Sequence, residues 1–401
     1  MEGVRIVEVA DHTFVPAATA VLSDWGADVI KIEHAQRGDA ARGLASSGAV
    51  DLTGNVHAIL EHANRGKRSL GIDLTADGGL DILRSLIERS DVFLTNKPPV
   101  VRLKLGITED EVRAANPAIV YAAGTAWGPK GPDADKGGYD MTSFWCRGAS
   151  AMGAWYEDDE RMPPQPAPAY GDSIGAMTIA GGIATALFRR ERTGEGQSLE
   201  VSLLGTGLWA MGAGVAMSHV NQTAWRPVDL TGLRQPMLGN YDTADGKIIN
   251  ITCLQPLPYW QDFCRVVGRP ELIDDERFAT HEALGEHGAE ARAIVTDEIG
   301  RRTLDQVREL LADFAGQWSP VLDALEVIDD PQVVANDYVQ DVRTADGVPF
   351  KLVTPPVQFG GEAPPPGRAP GFNEHGDAIL ADELGLDQET IIDLKVRGVV
   401  T

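Results

Sequence analysis

An aspartate at the head of a glycine-rich run is the residue in this chain best placed for covalent chemistry. Gly171-Asp172-Ser173 stands just before a segment in which Ile174, Met177, Ile183 and Leu187 recur with helical spacing. A carboxylate at a helix start can cap the free backbone N–H groups there. Facing an open pocket, it can instead be a nucleophile, kept ionised by the helix dipole. Both readings stand on the sequence. Gly175, Gly181 and Gly182 lie inside the same run. Each costs about 1 kcal/mol against alanine in a helix interior, so their presence predicts close backbone packing against a neighbour.

A second candidate is electrostatic. The chain has 401 residues, with 35 Lys and Arg against 59 Asp and Glu, a formal charge of −24. That acidity argues against nucleic acid or anionic lipid as general partners, since both need a basic face. Residues 61–105 reverse the trend. Arg65, Lys67, Arg68, Arg84, Arg89, Lys97, Arg102 and Lys104 outnumber the six acids of that window. The window reads either as a site for a phosphorylated ligand or as a solvated face balancing local acids.

The elements that must position these groups alternate. Residues 4–9, 28–33, 69–73, 91–95 and 119–123 read as strands. Helical segments over 16–25, 78–88 and 109–115 fall between them. Successive βαβ units predict a parallel sheet in a Rossmann-like α/β layer architecture. Ligands in such folds sit outside the carboxyl ends of strands, where Asn96 and Lys97 fall. Residues 10–16 after the first strand lack GxGxxG, which disfavours a dinucleotide dehydrogenase.

Composition shifts near residue 225. Tyr241–Ile251 reads as a hairpin turning at Asp245-Gly246, followed by helical segments over 259–267 and 304–314. The predicted layout is a large α/β domain over 1–224, a smaller α+β domain over 225–328, and a return to the large domain over 329–401. The Pro/Gly-rich stretch 361–371 reads as an extended linker. Cys146, Cys253 and Cys264 are far apart and show no metal-ligand or disulfide pattern, and no histidine pair has metal-ligand spacing. The N-terminus enters a strand without a basic or apolar leader, and the uncharged stretches Ser173–Phe188 and Val201–Val220 read as buried helices. The expectation is a soluble, cytoplasmic protein without a membrane partner.

Taken together, these motifs resemble a known family. GVRIVEV with LSDWGADVIKIE, Arg37-Gly38-Asp39, the run from Asn64 to Ser69, Gly138-Tyr139-Asp140, Gly171-Asp172, Arg192–Gln197, Asp330–Val333 and Glu374-His375 occur in the order of the family III CoA-transferases. That group includes formyl-CoA transferase, carnitine CoA-transferases and α-methylacyl-CoA racemase. The resemblance covers essentially the whole chain. It implies an interlocked homodimer whose large domain is built from both chain ends. It also implies an acyl-CoA donor and a carboxylic-acid acceptor, with coenzyme A as substrate and no permanent cofactor.

The resemblance makes Asp172 the nucleophile, forming a mixed anhydride and then an enzyme–CoA thioester. Tyr139, Asp140 and Gln235 are implied at the catalytic centre. Thr13, Phe14, His34, Ile72, Thr75, Asn96, Lys97, Pro98, Val101 and Lys104 are implied as CoA contacts. The racemase branch needs a histidine where Tyr139 stands, and tyrosine is a poor base near neutral pH. Racemisation or isomerisation by α-proton exchange remains the alternative, and a catalytically silent CoA-binding protein is the reading from another class. Departures from formyl-CoA transferase put the formyl and oxalate substrates in doubt. Thr13 replaces a glutamine, and Thr231–Pro236 keeps only the Gln-Pro ending of the acceptor loop. Phe144 and Trp145 suggest a larger or more apolar acyl group, and Arg234 a partner for a carboxylate; ordinary packing and a solvated loop are the competing readings.

Overall fold

The computed structural model describes residues 1–46, 51–52, 54–228, 230 and 233–401. Two compact units divide the chain: residues 1–226 with 331–401, and residues 227–330.

In the larger unit, six parallel strands form one sheet: β1 (Arg5–Val9), β2 (Asp28–Glu33), β3 (Arg68–Gly71), β4 (Val92–Thr95), β5 (Val120–Thr125) and β6 (Ser198–Ser202). Their order is β3-β2-β1-β4-β5-β6, that of a doubly wound sheet. The order reverses between β1 and β4. The loops leaving their carboxyl ends, Ala10–Thr13 and Asn96–Pro98, therefore part there and leave a crevice.

Helices cover both faces. One face carries α1 (Phe14–Asp24), α2 (Ala58–Asn64) and the 24-residue α7 (Tyr170–Thr193), with Val15, Ala18, Leu22, Ile179 and Ile183 in its core. The other carries α3 (Gly79–Ile87), α4 (Pro99–Leu105), α5 (Glu109–Ala115) and the C-terminal helix Gln388–Val396, around Leu83, Leu86, Val112 and Leu394. A π-helical turn, Met141–Arg147, and a single α-turn, α6 (Ser150–Gly153), lead toward α7.

The glycines of α7 have separate explanations. A Cβ on Gly175 would lie 2.3 Å from the Phe14 ring, so this glycine lets α7 approach α1. Gly182 has only ordinary contact with Leu199, and nothing lies within 4 Å of a Cβ on Gly181. By length and composition α7 could cross a membrane, but one face of it packs in the core just described.

Val201–Val220 departs from expectation. Its start completes β6, and the rest forms two short helices, α8 (Leu203–Ala210) and α9 (Gly212–Asn221), bent by 66° at Met211. No residue of α9 is buried within this chain. The absence of charge here signals an uncovered apolar surface, not a core helix. The 361–371 stretch is extended as expected, yet anchored: Gly66 N–H donates to Arg368 O (2.8 Å), and Ala369 N–H donates to the Glu61 carboxylate (2.8 Å).

The smaller unit holds the hairpin β7 (Leu238–Asp242) and β8 (Ile248–Thr252), turning at Asp245-Gly246, with β9 (Trp318–Pro320) antiparallel to β8. Trp260, Phe263, Phe278 and Val295 fill its core.

Candidate active site

A cavity of about 650 Å³ opens at the crevice between the β1 and β4 loops. Asp11, His12 and Phe14 line it after β1, Asn96, Lys97, Pro98 and Val101 after β4, and residues 124–127, Ala134 and residues 136–139 from the end of β5 onward. Asp172 and Leu203 complete the wall. Asp172, Tyr139, Phe14, Asn96, Lys97, Pro98 and Val101 are thus brought together from the sequence-derived set.

The head of α7 corrects the capping reading of Asp172. The N-cap is Ala169, in the left-handed region at φ 59°, and it has no side chain able to accept a hydrogen bond. Asp172 lies in the first turn. The cap comes from Asp140, whose Oδ2 accepts the Gly171 N–H at 3.0 Å. Gln165 Nε2 donates to the same oxygen. A Cβ on Gly171 would lie 2.3 Å from the Phe144 ring and 2.4 Å from Asp140 Oδ1, so only glycine lets the helix start seat on this carboxylate. With its capping role taken by Asp140, the Asp172 side chain is left to face the cavity.

Electrostatics follow from that arrangement. Burial, with the Asp140 carboxylate second, pushes Asp172 up to about 7. The sequence-based reading expected the dipole of α7 to keep it ionised; burial and the Asp140 charge act against that. Burial also raises Asp140, opposed by its bonds from Gln165 and the helix N–H groups. Asp140 Oδ1 is buried without a hydrogen-bond partner. Two carboxylates whose environments disfavour a second charge are a common acid–base and nucleophile arrangement.

Other expected residues have structural employment. Asn96 spends its amide on the Asp11 backbone, accepting from N–H at 3.1 Å and donating to O at 2.6 Å. Thr13 is buried, and its carbonyl accepts the Ala17 N–H at 2.7 Å. His34, Ile72 and Thr75 lie beyond the cavity lining, after β2 and β3. Ile72 is buried and bridged to Val400, which leaves its side chain to the core. Phe144 and Trp145 are buried against α7 rather than open to the cavity, with Tyr170 edge-on to both, so the packing reading holds for them. Gln235 belongs to the smaller unit, where its amide donates to Cys253 O (2.8 Å) and accepts the Met237 N–H. Arg234 lines a separate concavity of that unit. Thr231 and Gly232 lie outside the described residues.

The cationic window is not a free patch. Arg65 pairs with Asp24, Lys67 with Glu8, Arg68 with Asp28, Arg84 with Asp81 and Lys97 with Asp11. Arg89 and Arg102 donate to backbone carbonyls. Among the described residues, Lys104 alone of the eight makes no ion pair or hydrogen bond. Also among the described residues, no group of three or more His, Cys, Asp and Glu is placed to hold a metal ion.

Sequence reasoning missed His12 and Gln165. The signal for His12 was its place directly after β1 at the order reversal. Nothing local marks Gln165, whose role depends on Asp140 being 25 residues away.

Comparison with known proteins agrees across the chain. The profile of CoA-transferase family III matches residues 1–376. The chain is 28% identical over 404 residues to (R)-2-hydroxy-4-methylpentanoate CoA-transferase of Clostridioides difficile, covering 100% of this chain and 99% of that one. It is 30% identical over 398 residues to succinate–glutarate CoA-transferase of Agrobacterium fabrum, covering 95% of each. The crystal structure of a CAIB/BAIF family protein from Brucella suis superposes with a TM-score of 0.79 at 27% identity, over 95% of this chain and 98% of that one.

Proposed function

Because the chain belongs to CoA-transferase family III, and is an enzyme of that family, we propose that it moves CoA between two carboxylic acids through Asp172. The observation that supports this most is the uncapped Asp172 side chain lining the cavity. An Asp172 oxygen attacks the thioester carbonyl, the C–S bond breaks, and CoA leaves as thiolate from a mixed anhydride. The thiolate attacks the aspartyl carbonyl, releasing the first acid and leaving an aspartyl–CoA thioester. The acceptor carboxylate then displaces CoA to form a second anhydride. Attack of the thiolate on the acceptor acyl carbon gives the new thioester and restores the Asp172 carboxylate. The thioester's reactivity is conserved at each step, provided water is kept out.

In this reading Asp140 holds the helix head, and Tyr139 faces the reacting groups. Phe14, Pro98 and Val101 offer the apolar wall for the pantetheine arm, with Lys104 toward the phosphates; Lys97, paired with Asp11, stays a proposal from family resemblance. Gln235 and the contacts at Thr13, His34, Ile72 and Thr75 stay as proposals from family resemblance. The matched relatives transfer CoA to acids as different as a branched hydroxy acid and a dicarboxylate. Proton exchange and silent binding gain no support from them. Incubation with acyl-CoA and hydroxylamine is expected to release CoA and convert Asp172 to a hydroxamate, seen by peptide mass spectrometry. An unmodified Asp172 with CoA still turning over would sink the anhydride route.

The same premise supports a homodimer, interlocked through surfaces that one chain leaves bare. Trp209 is 86% and Val220 78% exposed on the bent pair α8–α9. Apolar exposure of this kind needs a cover. Sedimentation should report twice the 42.9 kDa chain mass, and Trp209→Glu should shift the equilibrium toward monomer. A monomeric wild type at micromolar concentration would remove this part of the proposal.

A further inference from the structure

Most polar side chains around the cavity are already committed to partners within the chain. Asn96 is bonded to the Asp11 backbone, Lys97 to the Asp11 carboxylate and Lys136 to Asp133. Thr142 is bonded to the Tyr139 backbone, Thr125 to Glu200 and the Trp127 indole to Gly137 O. Among the described residues, three lining side chains make no hydrogen bond or ion pair: the Asp172 carboxylate, the Tyr139 hydroxyl and the His12 ring. Asp172 is the proposed nucleophile. The other two sit together, the His12 and Tyr139 rings edge-to-face with centroids 5.8 Å apart.

His12 is held there against its own backbone preference. Its φ is +66°, in the left-handed region that residues with a Cβ rarely adopt. Such strain persists only where the surroundings fix it, and it gathers at functional sites. Here the His12 N–H donates to Asp39 Oδ1 at 2.9 Å. Asp39 is itself fully buried and paired with Lys31 at 2.8 Å, and Lys31 is paired with Glu8 at 2.7 Å. Breaking one member of such a buried set leaves an uncompensated charge, so the set resists rearrangement. The Arg37-Gly38-Asp39 motif thereby acquires a role: its aspartate fixes the residue that follows β1.

From this we infer that His12, with the Tyr139 hydroxyl, reads a hydroxyl group on the acyl chain delivered to Asp172, so that the acids served are hydroxy acids. The inference rests on the aspartyl-transfer reading above. A neutral imidazole and a phenol can each donate and accept, which matches a hydroxyl that does both. A second carboxylate on the substrate would need a cation. The two lining lysines are already paired with acids, and Asp172 itself repels an anion. Phe14, Val101, Trp127 and Leu203 leave the remainder of the wall to hydrocarbon.

The test uses the first half-reaction alone. CoA release in hydroxylamine is measured from 2-hydroxybutanoyl-CoA against butanoyl-CoA, and from 3-phenyllactoyl-CoA against 3-phenylpropanoyl-CoA. Wild type is expected to favour the hydroxylated member of at least one pair by about tenfold or more, as sites built to bond a hydroxyl do. His12→Gly removes the ring and suits the left-handed backbone, so the fold is kept. It should bring that ratio close to one, chiefly by slowing the hydroxylated thioester. His12→Asn, which also tolerates this backbone, should keep part of the preference. Asp172 labelling with equal rates for both members in wild type, or with a preference that survives His12→Gly, overturns the role of His12 alone. Release from none of the four thioesters, with Asp172 unlabelled, counts against the aspartyl reading as well.

Discussion

Asp172→Asn should abolish CoA transfer and at the same time make the protein more stable above neutral pH. The loss follows from chemistry: an amide cannot form the anhydride, and removing a covalent nucleophile costs on the order of 10³-fold or more in rate. The gain follows from the elevated pKa. An exposed aspartate titrates near 3.8, and the folded chain holds Asp172 up to about 7 by burial first and Asp140 second. Below about 4 the group is protonated whether the chain is folded or not, and it has no effect on stability. Between the two values the unfolded chain gives up the proton while the folded chain keeps it, so stability falls as pH rises. Above about 7 the folded state carries the whole penalty. With the side chain partly open to solvent, that penalty is on the order of 1–3 kcal/mol. Urea denaturation at pH 3 and pH 8 checks it. The midpoints of the two proteins should converge at the acid end, with the variant ahead at pH 8. A variant that gains nothing at pH 8, or that still transfers CoA when free of deamidated product, contradicts the assignment.

Strand–helix alternation made the parallel sheet legible, because period and punctuation are local properties. The Asp245-Gly246 turn was legible for the same reason. The candidate site was legible in Asp172 and in the Asn96-Lys97 loop, which line one cavity and stand at ends of elements that the pattern could place. Charge counting was the weaker guide. The cations of residues 61–105 looked free because their partners, Glu8, Asp11, Asp24 and Asp28, lie far back in the chain. Val201–Val220 was misread because lack of charge marks an apolar surface without showing that its own chain buries it. A capping role stayed open for Asp172 beside the nucleophilic one because a cap is normally local. The cap in fact arrives from Asp140 through a fold that no spacing rule reports. His12 went unseen because its conformation is imposed by Asp39, which reaches it across the sheet edge.

Asp140 gives the second large effect, and two substitutions separate its two duties. Its carboxylate accepts the Gly171 N–H, and its charge opposes ionisation of Asp172. Asp140→Asn keeps a carbonyl oxygen for the helix head but removes the charge. The rate of Asp172 acylation at subsaturating acyl-CoA should rise with pH up to a midpoint near 7 in wild type, because only the carboxylate attacks. In Asp140→Asn that midpoint should move to lower pH, though not to the ordinary carboxylate value, since burial is the larger cause and remains. The wild-type midpoint belongs to the coupled pair, so the shift itself carries the information. Asp140→Ala removes the charge and the cap together. The buried Gly171 N–H at the start of α7 then loses its acceptor, at a cost of about 1–2 kcal/mol in stability. The nucleophile loses its placement, and acylation should slow by about 10²-fold. A pH profile that stays put in Asp140→Asn would show that the two carboxylates do not interact. An alanine variant as stable and as fast as the asparagine one would show that the helix head finds its cap elsewhere.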